Sequence, residues 1–353
     1  MPPLSNQHYS PPTATYKGLT VVMSNPSRMD TLGLLSGNGG YFFTRECLYP
    51  QVSKMQCEIR LADNKRPLLP NTKGVLLLGE RAAKEWLGNK LSAGDTLNMI
   101  RGTPYIINGV VHIASYLPQE AVDPRADYEK KFNPWKQLDN SSATIPHSLL
   151  DDDKRHFGNT SPSNYAFWLK ADTKKLLRII LEQDGKLLPS TPSNYKIYPD
   201  GEEVIKLLSE TKGQLLFFDM ETTWEDRKMT CFAFKFGYEG TVYVVPMCRY
   251  DYSLAYDELT SSRILRAFCR AVADNTLVAH NGAGFDFIVL AMGYKIPITP
   301  NVQDTMLMQH RIYPCVEKSL GHCISLWTDE PFHKDEICSA FHNMESSYRL
   351  WQY

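Results

Sequence analysis

The chain is 353 residues long, 43% hydrophobic and 22% charged, with 38 Lys and Arg against 39 Asp and Glu. At roughly 100–200 residues per domain this length suits two folded domains, and the apolar content excludes a disordered tail, a collagen-like fibre or a small disulfide scaffold. A net charge of −1 advertises neither a polyanion nor a membrane surface as partner. It leaves nucleic acid open, because an acidic metal site can offset a basic groove elsewhere. Eight cysteines without a C-x-x-C pair read as free thiols of a reducing compartment. No apolar run approaches the roughly 20 residues of a membrane span, so the expectation is a cytoplasmic chain with no membrane contact.

The opening stretch, 1–17, is polar and Pro-rich and is expected to be a flexible arm. GLTVVMS (18–24) predicts a buried strand, and GVLLLGE (74–80) a second one, followed by a helix over RAAKEWLG that stops at Gly88. PYIINGVVHIASY (104–116) predicts a hairpin turning at Asn108-Gly109. In that order these elements suggest a three-layer α/β domain over 18–135. Residues 136–195, charged and punctuated by Pro, read as a connector carrying one helix over YAFWLKADTKKLLRIILEQDG. A second domain, 196–353, opens with a short helix, EEVIKLLSET, and three closely spaced strands at 214–222, 229–237 and 241–247. The helix SSRILRAFCRAVADN, the strand TLVAHNG and the helix GFDFIVLAMG then predict a mixed sheet with helices packed on it.

The chemistry concentrates in that second domain. Asp219 and Glu221 end an otherwise apolar strand, and residues two apart on a strand project from one face. Two carboxylates side by side repel unless a divalent cation lies between them. By itself the pair also fits a polar strand end. Further on, a hydrophobic strand runs into His280-Asn281-Gly282, and Asp286 falls near the start of the next helix, where the dipole favours an anion. That position by itself also fits a helix cap.

Taken together, the F-D-x-E-T strand end and the later V-A-H-N-G-x-x-F-D resemble the first two motifs of DEDD-type 3′–5′ exonucleases. More closely, they are similar to the proofreading domain of phage-type family A DNA polymerases, and the similarity extends through VQDTMLMQHRIYP…SLGHCISLWTDE. The resemblance implies a ribonuclease-H-like mixed sheet with Asp219, Glu221 and Asp286 as metal ligands. It also implies Thr222, His280, Asn281 and Phe285 as substrate contacts, single-stranded 3′ ends of DNA as substrate, and the host cytoplasm as location if the gene is phage-borne. Hard carboxylate oxygens suit Mg²⁺ or Mn²⁺, a pair of which can activate water and stabilise the leaving 3′-oxygen. Phe285, Tyr313 and Trp327 are conceivable base-stacking surfaces near the site, although each one separately fits a core-packing role better.

The third motif departs from the family. The tyrosine branch of the family has Tyr-x-x-x-Asp, but Tyr348 is followed by Gln352, and Tyr313 by Glu317, which arrives too early in the chain. The histidine branch has an acid five residues after a His, and His310, His322, His333 and His342 give Cys315, Trp327, Cys338 and Ser347 instead. Tyr353 resembles the start of that motif and is implied as a catalytic residue, its aspartate lying four positions past the last residue. The expectation is a chain cut within its third motif, partnered by a downstream polymerase polypeptide and slow when alone. GVLLLGERAAKEWLG, then Ile100-Arg101-Gly102, then a strand ending SYLPQE make the N-terminal half similar, more faintly, to the uracil-DNA glycosylase superfamily. Leu117-Pro118 stands where a His-Pro is expected, and Cys47 and Cys57 are too few for a four-cysteine cluster, so this glycosylase-like domain is expected to be inactive. The competing reading is a non-catalytic DNA-binding or accessory subunit of a split polymerase.

Overall fold

The computed structural model describes residues 9–24, 34–35, 37–91, 95–121, 162–187, 194–223, 226–249, 251, 253–298, 301–314 and 316–330. The chain divides into two compact units, Met1–Ser190 with Cys315–Lys334, and Thr191–Pro314 with Asp335–Tyr353.

The first unit is built on a six-stranded sheet of β1 (Tyr9–Ser10), β2 (Leu19–Met23), β3 (Glu58–Leu61), β4 (Gly74–Leu78), β5 (Pro104–Ile107) and β6 (Val110–Ser115), in the order β1-β3-β2-β4-β6-β5. The four inner strands run parallel, and both edge strands are antiparallel to their neighbours. β2 and β4 are buried along their whole length, which is why they read as unbroken apolar runs rather than alternating ones. Alternate residues feed two cores. Val21, Met23, Leu76 and Leu78 pack with Leu169, Leu176 and Ile180, while Val22, Val75 and Leu77 pack with Ala82, Ala83 and Leu87. The helices bringing these partners are α4 (Pro162–Leu181) on one face and α2 (Glu80–Leu87) on the other, with the short α1 (Asn38–Phe42) and α3 (Leu97–Ile100) beside them. The result is the expected three-layer α/β architecture. The hairpin turns where expected, with Asn108 and Gly109 both at positive φ (51° and 78°), the conformation that Asn-Gly supplies at least cost.

Three expectations are corrected here. Within the arm 1–17, Tyr9–Ser10 form a strand, β1, paired with β3, and the Tyr16 hydroxyl meets Thr20 and Thr72 at 3.0 and 2.9 Å. The helix assigned to a connector is α4, whose Trp168, Leu169, Leu176, Leu177, Ile179 and Ile180 are buried in the first unit. The segment SLGHCISLWTDE, read as a continuation of the second domain, forms the helix Leu320–Trp327 and belongs to the first unit. Arg101 and Lys175 hold it there: Arg101 reaches Ser325 Oγ at 3.2 Å, and the Lys175 ammonium donates to the Ser325 carbonyl at 2.6 Å. Burial pushes the Lys175 amine down to about 8.

The second unit carries β7 (Tyr195–Ile197), α5 (Gly201–Glu210), β8 (Leu215–Thr222), β9 (Met229–Phe236), β10 (Val242–Pro246), α6 (Glu258–Asp274), β11 (Thr276–Ala279), α7 (Asp286–Ile288), β12 (Val302–Asp304) and α8 (Thr305–Ile312). Its sheet has the order β12-β11-β8-β9-β10-β7. β8, β9 and β10 form an antiparallel meander, and β11 and β12 add to β8 in parallel. A three-strand meander extended by parallel strands beside its first member is the mixed sheet of a ribonuclease-H-like fold, as expected. One sheet face is sealed by Leu216, Phe218, Phe232 and Phe234 against Ile264, Phe268 and Val272 of α6, an aromatic-rich core. α5 and α6 start at Asp200 and Asp257, whose carboxylates accept N–H groups of the first turn. Among the described residues no helix is long and apolar enough to cross a membrane.

Candidate active site at the carboxyl ends of three parallel strands

β8, β11 and β12 run in the same direction, and their carboxyl ends bring Asp219, the loop 280–285 and Asp304 to one edge of the sheet. That edge is where open α/β sheets place ligands. Along β8, Leu216, Phe218 and Met220 are buried, whereas Asp219 is exposed and Glu221 half-buried. The alternation therefore puts both carboxylates on the face away from the aromatic core, as the spacing requires. Glu221 pairs with Cys231 and Asp219 with Ala233, in regular register, before a bulge between Glu221 and Thr222. Bulges at such positions bend a strand end and re-aim the side chains beyond it. The two carboxylates also act on their neighbour across the strands: burial first, then the Glu221 charge, pushes the Cys231 thiol up to about 12.

Asp286 is the first residue of α7 and is only 4% exposed. Its Oδ1 is buried and has no hydrogen-bond partner among the described residues. Burial and the negative charge of Asp219 push its carboxyl up to about 7, with backbone N–H groups of Asp286 and Met220 pulling the other way and Asp304 adding to the rise. A carboxyl in that state has lost water and gained a like charge, which the two backbone N–H groups offset only in part.

The loop that delivers Asp286 is held from two sides. Gly282 packs so tightly that a Cβ there would lie 2.7 Å from the Phe287 ring and 2.8 Å from Ala279 Cβ. The second hold is Asp304, which sequence pattern does not single out. Its Oδ1 accepts the N–H groups of Asn281 (3.1 Å), Met306 (2.9 Å) and Leu307 (3.3 Å), and its Oδ2 that of Ala283 (2.9 Å). One carboxylate thus caps α8 and grips the loop before Asp286. An Asp directly before a helical stretch is a cap signal in sequence, but the grip on Asn281 and Ala283 is tertiary.

The other expected contacts divide. His280 Nδ1 lies 2.9 Å from Thr305 Oγ1, so this imidazole ties the loop to α8. Asn281 is exposed at positive φ (60°), Phe285 is half-buried, and Thr222 is half-buried just past the bulge. The Arg227 guanidinium stacks 5.4 Å from the Phe285 ring centroid, a cation that sequence pattern also passes over. Tyr313 ends α8, and Trp327 stands on the first unit. Tyr353 lies outside the described residues.

For a metal ion, the test is the donor set. Among the described residues no group of three or more His, Cys, Asp or Glu side chains is gathered to hold one. What the fold does bring together is Asp219 and Asp286, with Glu221 on the Asp219 face. The donors are hard oxygens, and one of them is buried without a partner, which suits a hard divalent cation rather than zinc.

No protein-family model matches the chain, and no curated protein matches it. Among solved structures, the EXO domain of Nibbler from Aedes aegypti is similar over 47% of this chain and 85% of its own, at 12% identity and a TM-score of 0.33. Likeness at that level carries no weight, and the chemistry rests on this chain's own geometry.

Proposed function

We propose that the second unit is a divalent-metal-dependent 3′–5′ exonuclease that shortens single-stranded 3′ ends of DNA. The supporting observation is Asp286: a buried carboxyl with an unpartnered oxygen, set against Asp219 at the carboxyl ends of the parallel strands. Mg²⁺ or Mn²⁺, held by Asp219 and Asp286 with Glu221 beside them, would supply the positive charge that activates water and stabilises the leaving oxygen. The chain's own residues do the rest. Asp304 and His280 fix the loop that places Asp286, and Gly282 lets that loop press onto α7. Phe285, with Arg227 stacked on it, offers a ring for the terminal base and a cation for a phosphate. Proofreading within a phage-type family A polymerase, behind an inactive glycosylase-like unit, is the context that the motifs favour.

The test is a gel assay on a 5′-labelled single-stranded oligonucleotide with Mg²⁺, Mn²⁺ or EDTA. Stepwise shortening from the 3′ end is expected with metal, absent in EDTA, and reduced at least about 100-fold in Asp219→Ala and Asp286→Ala, the scale of a misplaced reacting group. Shortening that survives both substitutions would contradict the assignment.

A further inference from the structure

The first unit has a groove of about 300 Å³ between the β5–β6 turn, α2 and the loop after β3. Trp86 and His112 form its inner wall, and Lys65, Arg66 and Asn108 stand at its exposed rim. We propose that this groove seats one nucleotide of a single-stranded nucleic acid, its base against Trp86 and its phosphate on Arg66.

Each wall contributes a different part of that recognition. The Trp86 ring is fixed by its Nε1–H, which donates to the Ala62 carbonyl at 3.2 Å, so the indole is a preset stacking surface rather than a mobile one. His112 Nδ1 lies 2.9 Å from the Val110 carbonyl. A carbonyl only accepts, so Nδ1 carries the proton and Nε2 is left as an acceptor. Burial lowers the pKa of this ring and keeps it neutral, so the acceptor persists at neutral pH. An aromatic ligand with N–H donors on its edge, as nucleobases have, matches a ring beside an acceptor.

The rim supplies the charge. The Arg66 guanidinium lies 4.9 Å from the Tyr9 ring centroid and has no carboxylate partner among the described residues. Stacking of this kind leaves its planar donors turned outward, the geometry that binds phosphate in pairs of hydrogen bonds. Lys65 Nζ lies over the Trp86 ring, 5.7 Å from its centroid, as does the buried Arg60 guanidinium at 5.7 Å, so the ring already holds cations and a stacking base takes the place of the exposed Lys65 ammonium. The acid in the lining, Glu85, is already matched by Lys65 at 3.1 Å and Arg81 at 2.7 Å. The volume stands at the lower end of the roughly 300–1,000 Å³ of ligand pockets, which fits one nucleotide rather than a folded element. A polyanionic strand therefore suits the groove better than an apolar peptide.

The groove is on a different unit from Asp219 and Asp286, and the proposal stands independently of the exonuclease reading. The full chain in EDTA is mixed with a short fluorescent oligonucleotide for anisotropy, and with a 5-iodouracil-substituted one for photo-crosslinking and peptide mapping. Expected are a crosslink on the Trp86 peptide and affinity weakened about tenfold in Trp86→Ala, the scale of one lost base stack. Arg66→Glu, an exposed change that leaves the core intact, should weaken binding similarly and reduce the salt slope by about one. The Trp86 crosslink should persist in Asp219→Ala, which separates failure of this site from failure of the other. No measurable binding, crosslinks that never reach Trp86, or unchanged affinity in Arg66→Glu would overturn the proposal. Deoxyadenosine monophosphate binding as tightly as the oligonucleotide would also overturn it, by making the ligand a free nucleotide.

Discussion

Asp172 in the first unit and Asp286 in the second are both nearly sealed from water, at 1% and 4% exposure, yet their surroundings are opposite. Arg101 meets both oxygens of Asp172, Nε donating to Oδ2 at 3.0 Å and an Nη to Oδ1, and the Ser115 hydroxyl adds a bond at 2.7 Å. The same guanidinium lies 3.9 Å from the centroid of the Trp168 ring. Asp286 has an oxygen with no partner among the described residues, and burial, with a second acid, Asp219, beside it, raises its proton affinity. Burial alone therefore separates nothing; a structural carboxylate differs from a reactive one in whether its oxygens are already satisfied. Asp304 falls on the structural side, with four N–H donors.

The largest effect that could break this comparison is at Asp172. Asp172→Ala strands the Arg101 charge in the interior, and removing one partner of a buried pair costs about 3–5 kcal/mol. Urea unfolding followed by tryptophan fluorescence should show a matching fall in the midpoint of the first unit. A shift under about 1 kcal/mol, the level of an exposed ion pair, would mean that the network does not hold the fold.

An intermediate effect is expected at Asp304. Asp304→Ala removes a helix cap, worth about 1–2 kcal/mol, and also frees the Asn281 and Ala283 amides. The rate of the proposed exonuclease reaction should fall more than stability does, because Asp286 loses its mounting. Asp304→Asn keeps an acceptor for most of these donors and should recover a good part of both. Equal damage from the two substitutions would show that the charge, not the grip, is what matters.

The smallest effect sharpens the comparison through pH. The Asp286 carboxyl is raised from 3.8 to about 7, so between these values the folded chain keeps a proton that the unfolded chain releases. Its stabilising contribution is full below the unfolded value and is lost as pH rises through the folded one. In EDTA, Asp286→Asn should flatten that part of the profile and melt no lower than the natural chain at pH 8, as read by calorimetric scans at pH 5 and pH 8. A lower melting temperature at pH 8 would place Asp286 with Asp172 instead.

Much of this architecture is legible from residue pattern, and the limits have physical reasons. The apolar runs of β2 and β4, the Asn108-Gly109 turn and the alternation that puts Asp219 and Glu221 on one face all depend on local geometry. β3 escapes such a reading because Glu58 and Arg60 look like surface residues, whereas each is fully buried and they pair with one another. The spacing of α4 shows that one face is covered but not by what, so its place in the first unit is not readable from periodicity. Asp304 and Arg227 act through contacts with residues far along the chain, Ala283 and Phe285, which no periodicity reports.

The claim that the second unit's acids form a cation site is tested most directly by calorimetric titration of the metal-free chain with Mn²⁺. A saturable site is predicted in the natural chain, weakened at least about tenfold in Asp219→Ala and in Asp286→Asn because fewer charges neutralise the ion, and unchanged in Arg66→Glu. Equal Mn²⁺ binding by Asp219→Ala would contradict it.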